Sequence, residues 1–200
     1  GPNGNAMFFD GTDDYVALPV TTDITQLKKG AVEGWFKNVD VTLSDQYIFS
    51  ASDQSDALST ATVRVEDSNL QLIVRESATW YIHGKSSDNV VSDRWHHFVV
   101  QQTGSGYEMY LDGVQQTISI MSARGAVTNT QWISSINNVD DISIGRFSGS
   151  AGARNFNGTI DEIRFYKRVL SSDEVRARYL AGINATLKPY VDNSGNVGIG

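Results

Sequence analysis

Apolar and polar residues alternate with a period of two in segment after segment of this chain, and no helical pattern intervenes before residue 171. Ala31–Phe36, Gln46–Ser50, Thr60–Val65, Asn69–Val74 and Thr79–His83 all carry the alternation. So do Trp95–Val100, Tyr107–Leu111, Asp141–Ile144 and Thr159–Phe165. Gly, Asp, Asn and Ser fill the gaps between them, which is the chemistry of turns. Asp112-Gly113 is the sharpest of these signals, because Asp-Gly supplies the positive φ angles of a two-residue hairpin. Only three prolines occur, so the strands are spared interruption. Many short strands without crossover helices predict an all-β protein of two packed antiparallel sheets. A length of 200 residues fits one such domain.

One short C-terminal helix is expected. Ser171-Ser-Asp-Glu174 is a capping box, in which the Ser oxygen and the Glu carboxylate satisfy each other's backbone donors. Val175 and Tyr179 then share a face, Gly182 marks the expected end, and the helix is expected on the sandwich edge. The stretch from Thr117 to Val139 is polar and irregular yet carries Trp132, and loops of that length are commonly functional or ordered by their own contacts. Beyond Ile183 the chain turns to Asn, Ser and Gly. Residues 3–182 are therefore assigned to the domain and 183–200 to a linker leading into a following module, with Gly1-Pro2 set aside as a cleavage remnant.

Composition narrows the function. Twenty-three acidic against sixteen basic residues give a net charge of −7, without the basic stripe of a nucleic-acid binder. Membrane insertion is not expected, since no apolar run approaches the roughly 20 residues that cross a bilayer. There is no cysteine, which removes disulfides and thiolate chemistry.

Several segments, taken in order, resemble the laminin G-like (concanavalin A-like lectin/glucanase) jelly-roll family. They are Phe9–Val16, Gly34–Lys37, Trp95–Val100, Tyr110–Val114 and, most specifically, Phe156–Tyr166 followed by Arg168–Ser171 and the helix. The resemblance spans about Asn5 to Tyr179. It implies a two-sheet antiparallel jelly roll that binds at its loops or on its concave face. The terminal run Asn193–Gly200 resembles the segments that introduce chaperone or trimeric modules in bacteriophage tail fibres and tail spikes. That second resemblance implies a homotrimeric parent on a virion, or else an extracellular or cell-surface protein.

Enzyme chemistry finds no support in the residues. His96 and His97 are neighbours on a strand and so face opposite ways, which prevents them from sharing one metal. Asp161 and Glu162 diverge for the same reason and cannot flank one glycosidic bond. Trp35 and Trp95 fall inside family motifs and are assigned to the core. The acidic turn Asp10-Gly-Thr-Asp-Asp14 suits calcium, which takes six to eight oxygens, turn carbonyls among them. The resemblance sets the first and last strands side by side and so implies a calcium shell from the Gly11 carbonyl, Asp14, Asp161 and, more weakly, Asp10. Asp residues closing their own turn are the plain alternative.

Sugars stack their C–H faces on aromatic rings while polar neighbours hydrogen-bond the hydroxyls. Trp80 and Trp132 lie outside the family motifs and are the candidates for that stacking. Strict alternation sets Trp80 with Ile82 on one side of its strand and Tyr81 with His83 on the other. Arg75, Arg146 and Arg154 are candidates for an acidic sugar. The ligand-binding set is thus Trp80, Trp132, Tyr81, His83 and Arg154. The function expected is non-catalytic adhesion to a cell-surface glycan or polysaccharide, with a structural fibre spacer as the alternative and a glycan lyase or hydrolase fragment behind it.

Overall fold

The computed structural model describes residues 4–121, 130–149, 154–186, 189–191 and 197–199. In chain order the strands begin with β1 (Met7–Asp10), β2 (Val16–Ala17), β3 (Gly30–Asn38), β4 (Gln46–Asp53), β5 (Asp56–Glu66) and β6 (Asn69–Glu76). They continue with β7 (Thr79–Asn89), β8 (His96–Gln102), β9 (Tyr107–Leu111), β10 (Val114–Gln115), β11 (Ser119–Ile120) and β12 (Asp141–Ile144). The last are β13 (Arg146–Phe147), β14 (Arg154–Asn155), β15 (Asn157–Tyr166), β16 (Pro189–Val191) and β17 (Val197–Ile199). Helices α1 (Thr22–Thr25) and α2 (Ser172–Thr186) and a 3-10 turn at Ile133–Ser135 complete the elements of the described residues.

The strands form the expected jelly-roll sandwich. One sheet runs β1-β15-β3-β8-β9-β10 and the other β11-β7-β6-β5-β4-β12-β2, with every pairing antiparallel. Alternation decides which residues meet between them. From the first sheet come Phe9, Val32, Phe36, Phe98, Val100, Met109, Leu111 and Ile160, and from the second Phe49, Ala61, Val63, Val65, Leu70, Leu72, Val74 and Ile82. The hairpin at Asp112-Gly113 has φ of +51 and +76, so the two-residue turn read from the sequence is present.

Helix α2 corrects two expectations. Its capping box forms as expected: the Glu174 amide donates to Ser171 Oγ at 3.2 Å and the Ser171 amide to Glu174 at 2.9 Å. The helix, however, runs through Gly182 to Thr186, past the assigned domain boundary. Gly182 is there for proximity, since a Cβ on it would lie 2.1 Å from the Trp35 ring. The helix also lies against the outer face of the first sheet instead of the sandwich edge. Val175 joins Ala31, Val99, Tyr110 and Leu170 in a second apolar cluster, and Tyr179 stacks on Trp35 at 5.8 Å. Trp35 is therefore buried beneath the helix, and Trp95 is only half-buried just before β8. In the expected linker, β16 pairs with β17, and residues 192–196 lie outside the described residues. With α2 on the first sheet, the outer face of the second is the broad surface left to receive a ligand.

Candidate functional site on the outer face of the second sheet

The outward residues of β5 and β6 supply the floor of a hollow of about 240 Å³. Thr60, Thr62, Arg64 and Glu66 alternate with the inward Ala61, Val63 and Val65, while Gln71, Ile73 and Arg75 alternate with Leu72 and Val74. Two irregularities then bring aromatic walls to this floor. The β4–β5 register shifts between Tyr47 and Phe49, so Ile48 and Phe49 both enter the core and Tyr47 remains outside beside Arg64. The β6–β7 register shifts between Val74 and Arg75, pairing Ile82 with Val74 and Trp80 with Arg75. The extra residue is Tyr81, and such a bulge re-aims the side chains that follow it.

That bulge overturns the simple alternation. Trp80 and His83, expected on opposite sides, stack on one another at 5.3 Å with 15° between their planes. Tyr81 packs against the core and is not part of the hollow. Of the expected ligand residues, Trp80, His83 and Arg154 line the hollow together.

Charged groups are organised around Arg64, which is 7% exposed. Its guanidinium bonds Asp45, Glu66, the Tyr47 hydroxyl at 3.2 Å and Gln71 Oε1 at 3.1 Å. His83 Nε2 meets the same Gln71 oxygen at 3.1 Å; as that oxygen is an acceptor, His83 is the donor. Arg75 lies 4.7 Å from the Trp80 ring centre and donates to the Ala57 carbonyl at 2.6 Å. Across the hollow, Tyr47 stacks on Phe147 at 5.1 Å, and Arg154 at the mouth pairs with Asp45 at 3.0 Å. Burial, followed by the nearby Asp45 charge, raises the Tyr47 phenol despite Arg64, so its hydroxyl stays protonated. Thr62 Oγ1 is buried in the floor with no hydrogen-bond partner among the described residues. A buried hydroxyl of that kind calls for a water or a ligand group to complete it.

The sequence reading missed Arg64, Tyr47, Asp45 and Glu66. The signal for two of them was present, because Arg64 and Glu66 occupy the polar register of the alternating segment that begins at Thr60. Tyr47 was hidden by the bulge at Ile48.

Trp132 is a correction of a different kind. It is 2% exposed and belongs to the core, entering the 3-10 turn and lying 6.3 Å from Tyr107. The Tyr107 hydroxyl donates to the Gln131 carbonyl at 2.5 Å, and the Ser134 amide to Leu27 at 3.1 Å, so the polar stretch is tied down over its indole. Residues 122–129 of that stretch lie outside the described residues. Trp132→Ala is expected to cost about 3–5 kcal/mol of stability by leaving a cavity. The check is chemical denaturation, with ligand binding by the folded fraction unchanged.

The residues expected to hold calcium are not all brought together. β1 and β15 are neighbours as expected, but Asp10 pairs with Asn157 and Met7 with Ile160. Asp161 therefore lies four residues from Asp10 along the strand, about 13 Å at roughly 3.3 Å per residue. Asp10 instead accepts the Thr12 amide at 2.7 Å, and Asp14 accepts the Asp10 amide at 3.1 Å, each closing the Gly11 turn. Among the described residues no three His, Asp or Glu side chains group to hold a metal.

A two-sheet jelly roll with a polar, aromatic-walled hollow on one sheet face is the build of a lectin-like domain. The chain belongs to the concanavalin A-like lectin/glucanases superfamily, whose sequence model matches residues 10–176. A search of the curated proteins found no match. Among solved structures, the chain is similar to the CBM40 of the Ruminococcus gnavus IT-sialidase bound to α2,3-sialyllactose. That likeness has a TM-score of 0.68 at 15% identity, covering 88% of this chain and 98% of that one. The leech intramolecular trans-sialidase gives 0.66 at 16% identity over 94% of this chain and 28% of its own. The SAP-like pentraxin of Limulus polyphemus gives 0.58 at 14% identity over 88% and 82%. At these identities the likeness shows a shared fold.

Proposed function

We propose that this domain is a non-catalytic carbohydrate-binding module that takes one acidic sugar residue in the hollow of the second sheet. The observation that carries the reading is a hollow lined by Arg64, Arg75 and Trp80 together, with Arg75 set over the Trp80 ring. A guanidinium offers a carboxylate two parallel donors, and an indole face receives the apolar side of a pyranose. Asp45 and Glu66 are positioned to accept sugar hydroxyls while neutralising Arg64. Three arginines against two carboxylates leave this surface with a positive balance, on a chain of net charge −7. A hollow of about 240 Å³ suits one terminal residue better than a long oligosaccharide. The Ruminococcus gnavus module, a relative in fold, is described bound to both α2,3- and α2,6-sialyllactose, which supports an acidic sugar here too.

Asp45 and Glu66 both bond Arg64, so the pair serves as counter-ions to one cation and not as an acid and a base flanking a glycosidic bond. A shallow single-residue site binds weakly, and display of several copies, as on a trimeric fibre at a virion or cell surface, would raise the avidity.

Titration with 3′-sialyllactose and with lactose, followed by calorimetry, tests the reading. Saturable binding of the sialylated sugar alone is expected. Trp80→Ala should weaken it about tenfold, corresponding to the loss of roughly 1.5 kcal/mol of ring contact. The half-buried Trp80 should leave the fold cooperative when removed. Equal binding of lactose, or an unaffected Trp80→Ala variant, would reject the site, and no binding of any glycan would favour a spacer.

A further inference from the structure

We propose that the free edge of β1 docks an extended polypeptide segment of alternating basic and apolar residues, which adds a strand to the first sheet and seats an apolar side chain in a second hollow beside Met7. The surface belongs to a different sheet from the sugar site. β1 is the outermost strand, and among the described residues nothing pairs with its outer side. The direction of its free groups follows from two hydrogen bonds. The Asp10 amide donates to Asp14 at 3.1 Å, and so faces away from β15. Its register partner Asn157 turns its carbonyl the other way, to accept the Val39 amide at 3.1 Å. Asp10–Asn157 is thus a non-hydrogen-bonded pair, and by alternation so is Phe8–Thr159. The N–H and C=O of Phe8 therefore point outward, ready to pair with another chain.

Edge strands are ordinarily blunted by lysine, proline or a bulge. β1 has none of these, and it exposes Met7 at 57% and Phe8 at 63%. Beside it lies a hollow of about 310 Å³ walled by Met7, Phe9, Ile144, Ile160 and Ile163, with Asp161 also in its lining. The hollow sits where the β15–β3 register breaks after Asp161, at Glu162 with φ of +53. Edge addition of this type draws affinity from main-chain bonds and specificity from pockets for alternate side chains.

Charge selects the occupant. Asp10, Asp13 and Asp14 flank one end of β1 and Asp161 the other, and among the described residues none of the four has a salt bridge. Asp161 Oδ2 is buried without a hydrogen-bond partner, and burial pushes its carboxyl upward. A second copy would bring the same four carboxylates against these, whereas a lysine-bearing segment would neutralise them.

The test uses a capped hexapeptide of alternating lysine and valine, and its glutamate-for-lysine counterpart, each titrated into the labelled domain by NMR. The lysine peptide should perturb residues 7–10, 144 and 160–163, and the glutamate peptide should bind at least about tenfold more weakly. Phe8→Pro removes only an outward N–H and should abolish docking while sialyllactose titration is unchanged. Phe8→Lys, which keeps every backbone bond, should do the same if the proline variant folds poorly. Equal binding of the two peptides, no binding at millimolar peptide, or unchanged binding by both variants overturns the proposal. Concentration-dependent dimers that Phe8→Lys dissolves would also overturn it, assigning the edge to a second copy.

Discussion

Glu33→Ala is expected to lose about 3 kcal/mol of folding stability, because it removes the acceptor around which a buried charge network is built. Glu33 is fully buried on β3, on the face that α2 covers. His97 Nε2 lies 3.0 Å from one carboxylate oxygen, and the Tyr166 hydroxyl donates to the other at 2.6 Å. Arg178 of α2 approaches at 3.5 Å and Arg164 of β15 at 3.9 Å, while Arg178 also donates to the Tyr166 hydroxyl at 2.7 Å. The loss should be read by urea denaturation. Glu33→Gln, which keeps an acceptor for Tyr166, should lose about half as much.

The same network fixes a pH dependence. Burial alone would raise the Glu33 carboxyl, but the hydrogen bonds from His97 and Tyr166 and the charges of His97 and Arg178 outweigh it and hold it below 4.5. A carboxyl depressed in the folded state contributes stability above its unfolded value, and that contribution fades as pH falls through the folded value. The wild-type chain should therefore lose stability below about pH 4.5, and the difference between it and Glu33→Ala should shrink there. A difference constant down to pH 3 would show that the carboxylate charge contributes nothing.

Arg64→Ala is expected to weaken sialyllactose binding about a hundredfold, the equivalent of about 2.7 kcal/mol. Arg64 stands in the floor with both of its carboxylate partners inside the hollow. Its removal takes away the cation that neutralises Asp45 and Glu66 and leaves both carboxylates in the hollow to repel an anionic sugar. Arg64→Lys keeps the charge but not the two-pronged geometry, so it should recover only part of the loss. Arg154→Ala should act mainly on the association rate and its salt dependence, since that side chain is 38% exposed at the mouth. Equal losses for Arg64→Ala and Arg154→Ala would reduce the role of Arg64 to general charge.

The strands, the Asp112-Gly113 hairpin and the capping box at Ser171 were legible because each is a local signal, carried by periodicity or by two residues at fixed spacing. What escaped the sequence depends on register or on distant partners. A single extra residue at Tyr81 exchanges the faces of a strand, and alternation counted along the chain cannot see it. Trp132 sits in a polar stretch whose composition says surface, yet Tyr107 and Leu27, remote in sequence, bury it. Gly182 carries the composition of a helix end, but the Trp35 ring on a strand about 150 residues earlier is what requires it. The acidic turn at Gly11 read equally as a metal site or as a self-closed turn, and only the β1–β15 register separates Asp161 from it.

The central claim is that the outer face of β5, β6 and β7 holds the sugar. It is tested most directly by following the arginine Nε–H, indole N–H and backbone amide NMR signals of the wild-type domain during titration with 3′-sialyllactose. The account predicts saturable shifts at Arg64, Arg75 and Trp80 and at the amides of residues 60–66 and 80–83, with one dissociation constant throughout. Shifts confined to the Gly11 turn, to β1 or to α2, or no shifts at saturating sugar, would contradict it.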